Sequence, residues 1–282
     1  MHYAMYAHFS EALKELGPEK AADLACGMGF SSVEMFESAM DATPGLIKDV
    51  EEAKQIRKIF EERGLHFSCY SLYANLYHKP EVEASLCRHA EIAAALGSPY
   101  LHHTSLPWIT MNADSPQADE AIETAVEAAS KVARYAAPLG ITCIYEDQGM
   151  YLNGLKGFGT FYQEMKNRCS NVGICGDAGN ILFVDEYPDP FFETFKQEIK
   201  HVHLKDYLVK EGPQAPGSHW YPTKGGKWLR DTMIGDGVVN FEALITSLKS
   251  VGYDGALALE IGHPEPFELG AKLAMEHVNR FL

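Results

Sequence analysis

No stretch of the 282-residue chain approaches the roughly 20 uninterrupted apolar residues that a membrane-spanning helix requires. The N-terminal segment MHYAMYAHFSEALKEL carries neither a basic leader nor a long apolar run, so a cytoplasmic location without a secretory signal is expected. Cysteine pairs are missing as well. Cys26, Cys69, Cys87, Cys143, Cys169 and Cys175 are scattered without a CxxC, which favours buried thiols over disulfides or a zinc clip. Positive charge is scarce: 24 Lys and Arg stand against 39 Asp and Glu, for a net charge of -15. Such a surface repels phosphate backbones and anionic headgroups, which counts against nucleic-acid and membrane partners. No GxGxxG follows the first β-rich run, so the usual reason to expect a dinucleotide fold is absent.

What is present is alternation. Short β-rich runs (MHYAMYAHF, FSSVEMF, LHFSCYSLY, PYLHHTS, ITCIYED, VGICGDAG, HVHLKD and GALALEI) are separated by segments of helical period, the pattern of parallel βα units. An open doubly wound sheet would make the first and last runs edge strands, yet GALALEI is apolar enough to be buried on both faces. The expectation is a single (β/α)8 TIM barrel over residues 1–282, close to the roughly 250 residues typical of that fold.

The helices carry their own signals. Leu46, Ile47, Val50, Ile56, Ile59 and Phe60 recur at helical steps, and Gly64 sits where a left-handed cap is wanted. Ser115-Pro116 is expected to open the helix whose stripe is Ile122, Val126, Ala129, Ala133 and Ala136. Asn240 is expected to cap a helix with Leu244, Ile245, Leu248 and Val251 inward. The last helix, from about Phe267, should turn Leu269, Leu273, Met275 and Val278 inward. One long Gly- and Pro-rich insertion, at about 207–239, departs from the alternation. It is expected to fold as a lid, because Trp220, Tyr221 and Trp228 are costly to leave in water.

In a parallel barrel the strand C-termini share one face, and reacting groups come from strand ends. The last four runs end in Glu146, Asp177, His203 and Glu260. Alone, a strand-end carboxylate is more often a cap or an Arg partner; four metal-competent ends on consecutive strands are hard to assign to chance. Two unit charges about 4 Å apart repel by roughly 4 kcal/mol at an effective dielectric of 20, so converging carboxylates call for a counter-charge. A divalent cation supplies it, and the His203 imidazole completes a mixed N/O set. That set suits Mn²⁺, the leading expectation, or Co²⁺, Mg²⁺ or Zn²⁺, rather than Ca²⁺ or a thiolate-bound metal.

With IYED, GDAGN, HVHLKD followed by GDGVVNF, and the terminal LALEIGH, the chain resembles the xylose-isomerase-like barrel superfamily. The resemblance spans essentially the whole chain, in the sugar-phosphate isomerase and epimerase branch that includes ketose 3-epimerases and inosose-processing enzymes. It implies that Glu146, Asp177, His203 and Glu260 hold one metal, with Glu146 and Glu260 as the acid–base pair. Where the family's aspartate motif often continues to a histidine, this chain has Asn180, a hydrogen-bonding residue and a poor ligand.

The implied chemistry removes a C–H proton beside a carbonyl, passes through an enediolate and returns the proton. The expected substrate is a small sugar or sugar phosphate, and a homo-oligomer is left open. Substrate contacts are expected from Asn180, Lys205, Asp206, Trp108 and one of His102 and His103, whose inward member depends on register. Asp206 is also a candidate to orient the His203 imidazole. Tyr6, His8 and Phe67 are candidate pocket walls, and Lys224, Lys227 and Arg230 candidate anion contacts. His263 reads as a loop histidine.

Three alternatives remain. An inosose-type dehydratase begins with the same proton abstraction. An abasic-site endonuclease uses further histidines, which FSCYSLYANL and Asn180 do not provide. A sugar-sensing barrel has little need for two opposed glutamates.

Overall fold

A computed structural model of the protein describes residues 1–40, 45–112, 115–262 and 266–282; His263 lies outside them. In chain order the strands are β1 (His2–Met5), β2 (Ser32–Ser38), β3 (His66–Tyr73), β4 (Tyr100–His103), β5 (Thr142–Glu146), β6 (Val172–Asp177) and β7 (Ile199–Leu204). Then come β8 (Tyr207–Lys210), β9 (Tyr221–Pro222), β10 (Trp228–Asp231) and β11 (Ala256–Leu259). The order β1-β11-β7-β6-β5-β4-β3-β2 closes a parallel barrel, with a strand at each of the eight β-rich runs of the sequence. The helices are α1 (His8–Leu16), α2 (Pro18–Gly27), α3 (Val50–Glu61), α4 (Pro80–Leu96), α5 (Ala118–Ala136), α6 (Gly154–Arg168), α7 (Pro188–Phe195), α8 (Phe241–Ser250) and α9 (Phe267–Val278). Among the described residues, no helix is long and apolar enough to cross a membrane.

Burial follows strand alternation. Outward residues such as Met5, Phe67, Tyr145, Leu257 and Leu259 join one large apolar core with the inward faces of the helices. The inside of the ring holds only small apolar clusters, Ala4 with Tyr6, Ala256 and Ala258, and Cys69 with Ile144 and Cys175. The space these leave is taken by buried polar side chains, and that is where the site forms.

Two β-bulges decide which side chains enter the ring. On β3, Phe67 pairs with Val33 and Cys69 with Glu34, so Ser68 is the extra residue. On β7, Ile199 pairs with Ile174 and His201 with Cys175, so Lys200 is extra. A one-residue slip moves the following side chains to the opposite face of a strand. Ile199 therefore joins the outer core while His201 and His203 point inward.

Helix boundaries differ in places from the sequence reading. α3 begins at Val50, capped by Asp49, whose side chain accepts from Glu52 N at 2.8 Å; Leu46 and Ile47 precede it. α5 begins at Ala118 and not at Ser115, whose Oγ accepts from Asn112 N at 2.9 Å instead. Asn240 does cap α8, accepting from Ala243 N at 3.1 Å. On α9 the buried stripe is Phe267, Ala271, Ala274 and Val278, while Leu269 and Leu273 are exposed. Small side chains bring that helix close to the ring, and the larger leucines fall on its outer face.

The insertion folds as an antiparallel sheet in the order β8-β10-β9. Its return to the barrel is organised by Asp206. That buried carboxylate accepts from the backbone amides of Tyr207 (2.9 Å), Gly235 (3.0 Å), Gly237 (2.9 Å) and Val239 (3.1 Å). Removing an acceptor from buried donors costs roughly 1–3 kcal/mol. Asp206→Ala is therefore expected to lower the unfolding free energy by that amount, read as a lower urea midpoint at constant m-value; an unchanged midpoint would show that the amides find other partners.

Candidate active site

Glu146 and Asp177 are the last residues of β5 and β6, His203 lies near the end of β7, and Glu260 follows β11. The ladder sets Asp177 against His203 and His203 against Ala258, and Glu260 N donates to Leu204 O at 3.0 Å. One ligand atom from each of Glu146, Asp177, His203 and Glu260 lies within 4.8 Å of the others. From His203 Nδ1 it is 2.7 Å to Glu146 Oε1, 3.6 Å to Glu260 Oε2 and 3.9 Å to Asp177 Oδ2. Glu146, Asp177 and His203 are buried, and Glu260 is partly exposed.

The GDAGN turn holds Asp177 in place. Its Oδ1 accepts from Gly179 N at 2.7 Å and Asn180 N at 2.6 Å, while its buried Oδ2 has no hydrogen-bond partner. A bare carboxylate oxygen beside two further carboxylates and an imidazole nitrogen is a donor set that fits a divalent cation. Glycine is required at 179, because a Cβ there would come within 2.8 Å of the Tyr207 ring and 3.0 Å of Lys205 Cγ.

Lys205 corrects the charge argument made from sequence. Its Nζ pairs with Glu260 Oε1 and lies 3.8 Å from Asp177 Oδ2 and 3.3 Å from Asn180 Oδ1. Burial disfavours the ammonium, but Glu260, then Tyr207 and Asp177, hold its pKa well above the ordinary lysine value. Burial likewise disfavours a charged His203; the Cys175 sulfur, Glu34 and the hydrogen bond to Glu146 outweigh it and raise its pKa well above 6.5. The chain thus supplies part of the counter-charge that the sequence reading gave wholly to a metal.

Glu34 was missed in the sequence reading. It is fully buried on β2, with Oε2 2.6 Å from His201 Nε2, Oε1 2.9 Å from His203 Nε2, and Ser71 Oγ donating to Oε1. Burial alone would raise its carboxyl, but His203 and His201 hold it well below the usual range. Its signal was a glutamate inside the strand run SSVEMF, where alternation directs Ser32 and Glu34 to one face.

The register separates the two histidines of β4. His102 points inward, with Nδ1 3.0 Å from Ser71 Oγ and Nε2, unpartnered, 3.8 Å from Glu146 Oε2. Burial pushes its pKa down to about 4, so the ring is neutral. Because Ser71 gives its proton to Glu34, the His102 proton sits on Nδ1 and Nε2 is left as an acceptor. His103 turns outward, its ring edge on Tyr145 at 5.3 Å, and so leaves the site.

The remaining candidates divide. Tyr6 stacks on His203 with ring centroids 4.5 Å apart. Phe67 instead packs between Phe9 and Phe60 in the outer core, and His8 stacks on Phe267. Trp108 is half-buried between Tyr77 and Tyr151, and its neighbour Ile109 lines the cleft. Asp206 is occupied by loop amides, so the imidazole-orienting position falls to Glu34. Arg230 lies over the Trp220 ring, and Trp228 Nε1 donates to Gly212 O at 3.0 Å; both tryptophans stabilise the insertion itself. Lys224 is exposed, and Lys227 borders a separate crevice beside Asp185.

Above the charged floor lies a cleft of about 350 Å³, a size that admits a small molecule. Lys205 and Glu260 lie at its barrel side, Phe183 and Ile109 form walls, and the insertion contributes Tyr207, Tyr221 and Asp231.

A family model described as a xylose isomerase-like TIM barrel matches residues 22–281. Inosose dehydratase from Lacticaseibacillus casei is 28% identical over 105 residues, 36% of this chain and 35% of the relative. The matches to the curated relatives thus span about a third of those proteins' length. Among solved structures, D-allulose 3-epimerase from Methylomonas sp. superposes with a TM-score of 0.74 at 17% identity, covering 100% of this chain and 98% of that one. The IOLI protein, whose crystal structure holds a zinc atom, superposes with a TM-score of 0.73 at 15% identity, covering 100% and 96%. These superpositions establish shared fold.

Removing one partner of an ion pair that lies between fully exposed and fully buried costs about 2 kcal/mol. Lys205→Met is expected to destabilise the metal-free protein by roughly that amount, and saturating Mn²⁺ to restore part of the loss. Equal denaturant midpoints for variant and wild type in EDTA would show that Lys205 is not the counter-charge.

Proposed function

The chain belongs to the xylose isomerase-like TIM barrel family, and from that premise we propose that it is a divalent-metal-dependent isomerase or epimerase of a small sugar or sugar phosphate. One observation carries the reading: three carboxylates and an imidazole offer ligand atoms within 4.8 Å of one another, with Asp177 Oδ2 buried and unpartnered. Glu146, Asp177, His203 and Glu260 would hold the ion, with Mn²⁺ the leading candidate. When bound, such an ion supplies a Lewis acid for the substrate oxygens that gain charge.

The rest belongs to side chains. Glu146 and Glu260 exchange the proton beside the carbonyl, one removing it to form the enediolate and the other returning it. Lys205, paired with Glu260, holds that carboxylate at the cleft. His102 Nε2, the acceptor beside Glu146, takes a substrate hydroxyl, and the unpartnered Nδ2 of Asn180 donates to another. Residues of the insertion around Tyr221 and Asp231 cover the bound molecule and limit water.

A dehydratase is the second reading, favoured by relatives named inosose dehydratase at 28–32% identity. It shares the abstraction and then expels a hydroxyl, for which the Lys205 ammonium is a proton source close to Glu260.

NMR of ketoses, ketose phosphates and inososes incubated with the Mn²⁺-loaded protein in D₂O tests the reading. Deuterium should enter at the carbon beside the carbonyl, and loss of water would identify the dehydratase. Glu146→Gln and Glu260→Gln should each lower kcat by about 10³-fold with the fold intact; near-normal turnover in both refutes the assignment.

Metal affinity should also depend on pH. With its pKa above 6.5, metal-free His203 keeps both ring protons at neutral pH, and a cation must displace the one on Nδ1. Mn²⁺ affinity is therefore expected to rise by about tenfold per pH unit from pH 6 upward, with proton release seen calorimetrically in buffers of different ionisation enthalpy. Affinity independent of pH over that range would place the proton elsewhere.

A further inference from the structure

We propose that Glu34 is a positioning residue of this centre: its carboxylate holds the Nε2–H of His203 and so aims Nδ1 at Glu146, Asp177 and Glu260. The inference rests on reading those residues as a metal site, and adds what fixes the one nitrogen ligand within it.

Glu34 is fully buried, and a carboxylate placed there is costly unless every lone pair is used. Here Oε1 is shared by His203 Nε2 and Ser71 Oγ, and Oε2 by His201 Nε2. An ionised carboxylate only accepts, so each ring nitrogen facing it must carry a proton. Both nitrogens of His203 face a carboxylate, Nε2 that of Glu34 and Nδ1 that of Glu146. A cation among Glu146, Asp177 and Glu260 takes the place of the Nδ1 proton, so the ring keeps Nε2–H on Glu34 and turns the Nδ1 lone pair to the ion. Tyr6, stacked on the same ring at 4.5 Å and 17° between planes, blocks rotation about the remaining direction.

His201 makes the same contact, yet its own Nδ1 is buried without a partner, and the residue is not among the four whose ligand atoms gather around His203 Nδ1. It anchors Glu34 rather than the ion. The two β-bulges fall at this arrangement, with Ser68 extra opposite Glu34 and Lys200 extra just before His201. Bulges commonly re-aim side chains beside functional sites. A packing role alone would be served at lower cost by an apolar residue of similar volume.

The test uses the full-length protein, stripped of metal and titrated with Co²⁺ against a chromophoric chelator. Glu34→Gln, folded by circular dichroism, should bind Co²⁺ roughly 10–100-fold more weakly than wild type and show an altered visible d–d band. Equal affinity and an identical band in the folded variant would overturn the role of Glu34 and leave the metal site intact. Failure of the wild type to bind Co²⁺ would overturn both readings. If the variant does not fold, wild-type protein with ¹⁵N-labelled histidine and bound ¹¹³Cd²⁺ decides. Cadmium coupling to Nδ1 of His203, with Nε2 still proton-bearing, supports the proposal, and coupling to Nε2 ends it.

Discussion

A single imidazole, His203, ties the upper half of this barrel together. Its two nitrogens face carboxylates on opposite sides, Glu34 at 2.9 Å and Glu146 at 2.7 Å, while Tyr6 covers one ring face. Charge buried in a protein is stable only when paired and hydrogen-bonded. That rule accounts for the rest of the network. Ser71 and His201 satisfy Glu34, the amides of Gly179 and Asn180 satisfy one oxygen of Asp177, and Lys205 answers Glu260. Asp177 Oδ2, buried within the cluster, stays without a hydrogen-bond partner.

The fold makes this arrangement affordable by dividing its labour. Stability comes from the outer layer, where residues such as Phe60, Phe158, Phe161 and Phe191 pack fully buried between strands and helices. The interior of the ring is then free to hold small apolar residues below and polar ones above. Bulges on β3 and β7 choose which residues those are. The insertion after β7 completes the cleft, and its backbone is gathered by Asp206, next in sequence to Lys205. The cleft's floor and the insertion are thus linked through adjacent residues of one strand end.

Much of this could be read from sequence. Short β-rich runs alternating with segments of helical period placed all eight barrel strands, and the ends of the last four nominated Glu146, Asp177, His203 and Glu260, which the structure brings together. Where the reading failed, it failed on facing. His102 and His103 are adjacent and chemically identical, and only the ladder from Ser71 to His102 separates inward from outward. Glu34 sits inside its strand rather than at the end, so a search of strand termini passes over it. Leu269 and Leu273 were expected inward because they are large, whereas the close approach of α9 favours Ala271 and Ala274. Lys205 was weighed as a substrate contact and not as a counter-charge, since its partner lies on β11's far end, distant in sequence.

The claim on which the account rests is that these four side chains share one cation. Anomalous diffraction from crystals soaked in Mn²⁺ measures it directly. The account predicts one strong peak bonded to Glu146, Asp177, Glu260 and Nδ1 of His203, with Glu34 still on Nε2. A cluster without a peak at saturating Mn²⁺, or a peak bound elsewhere, would contradict it.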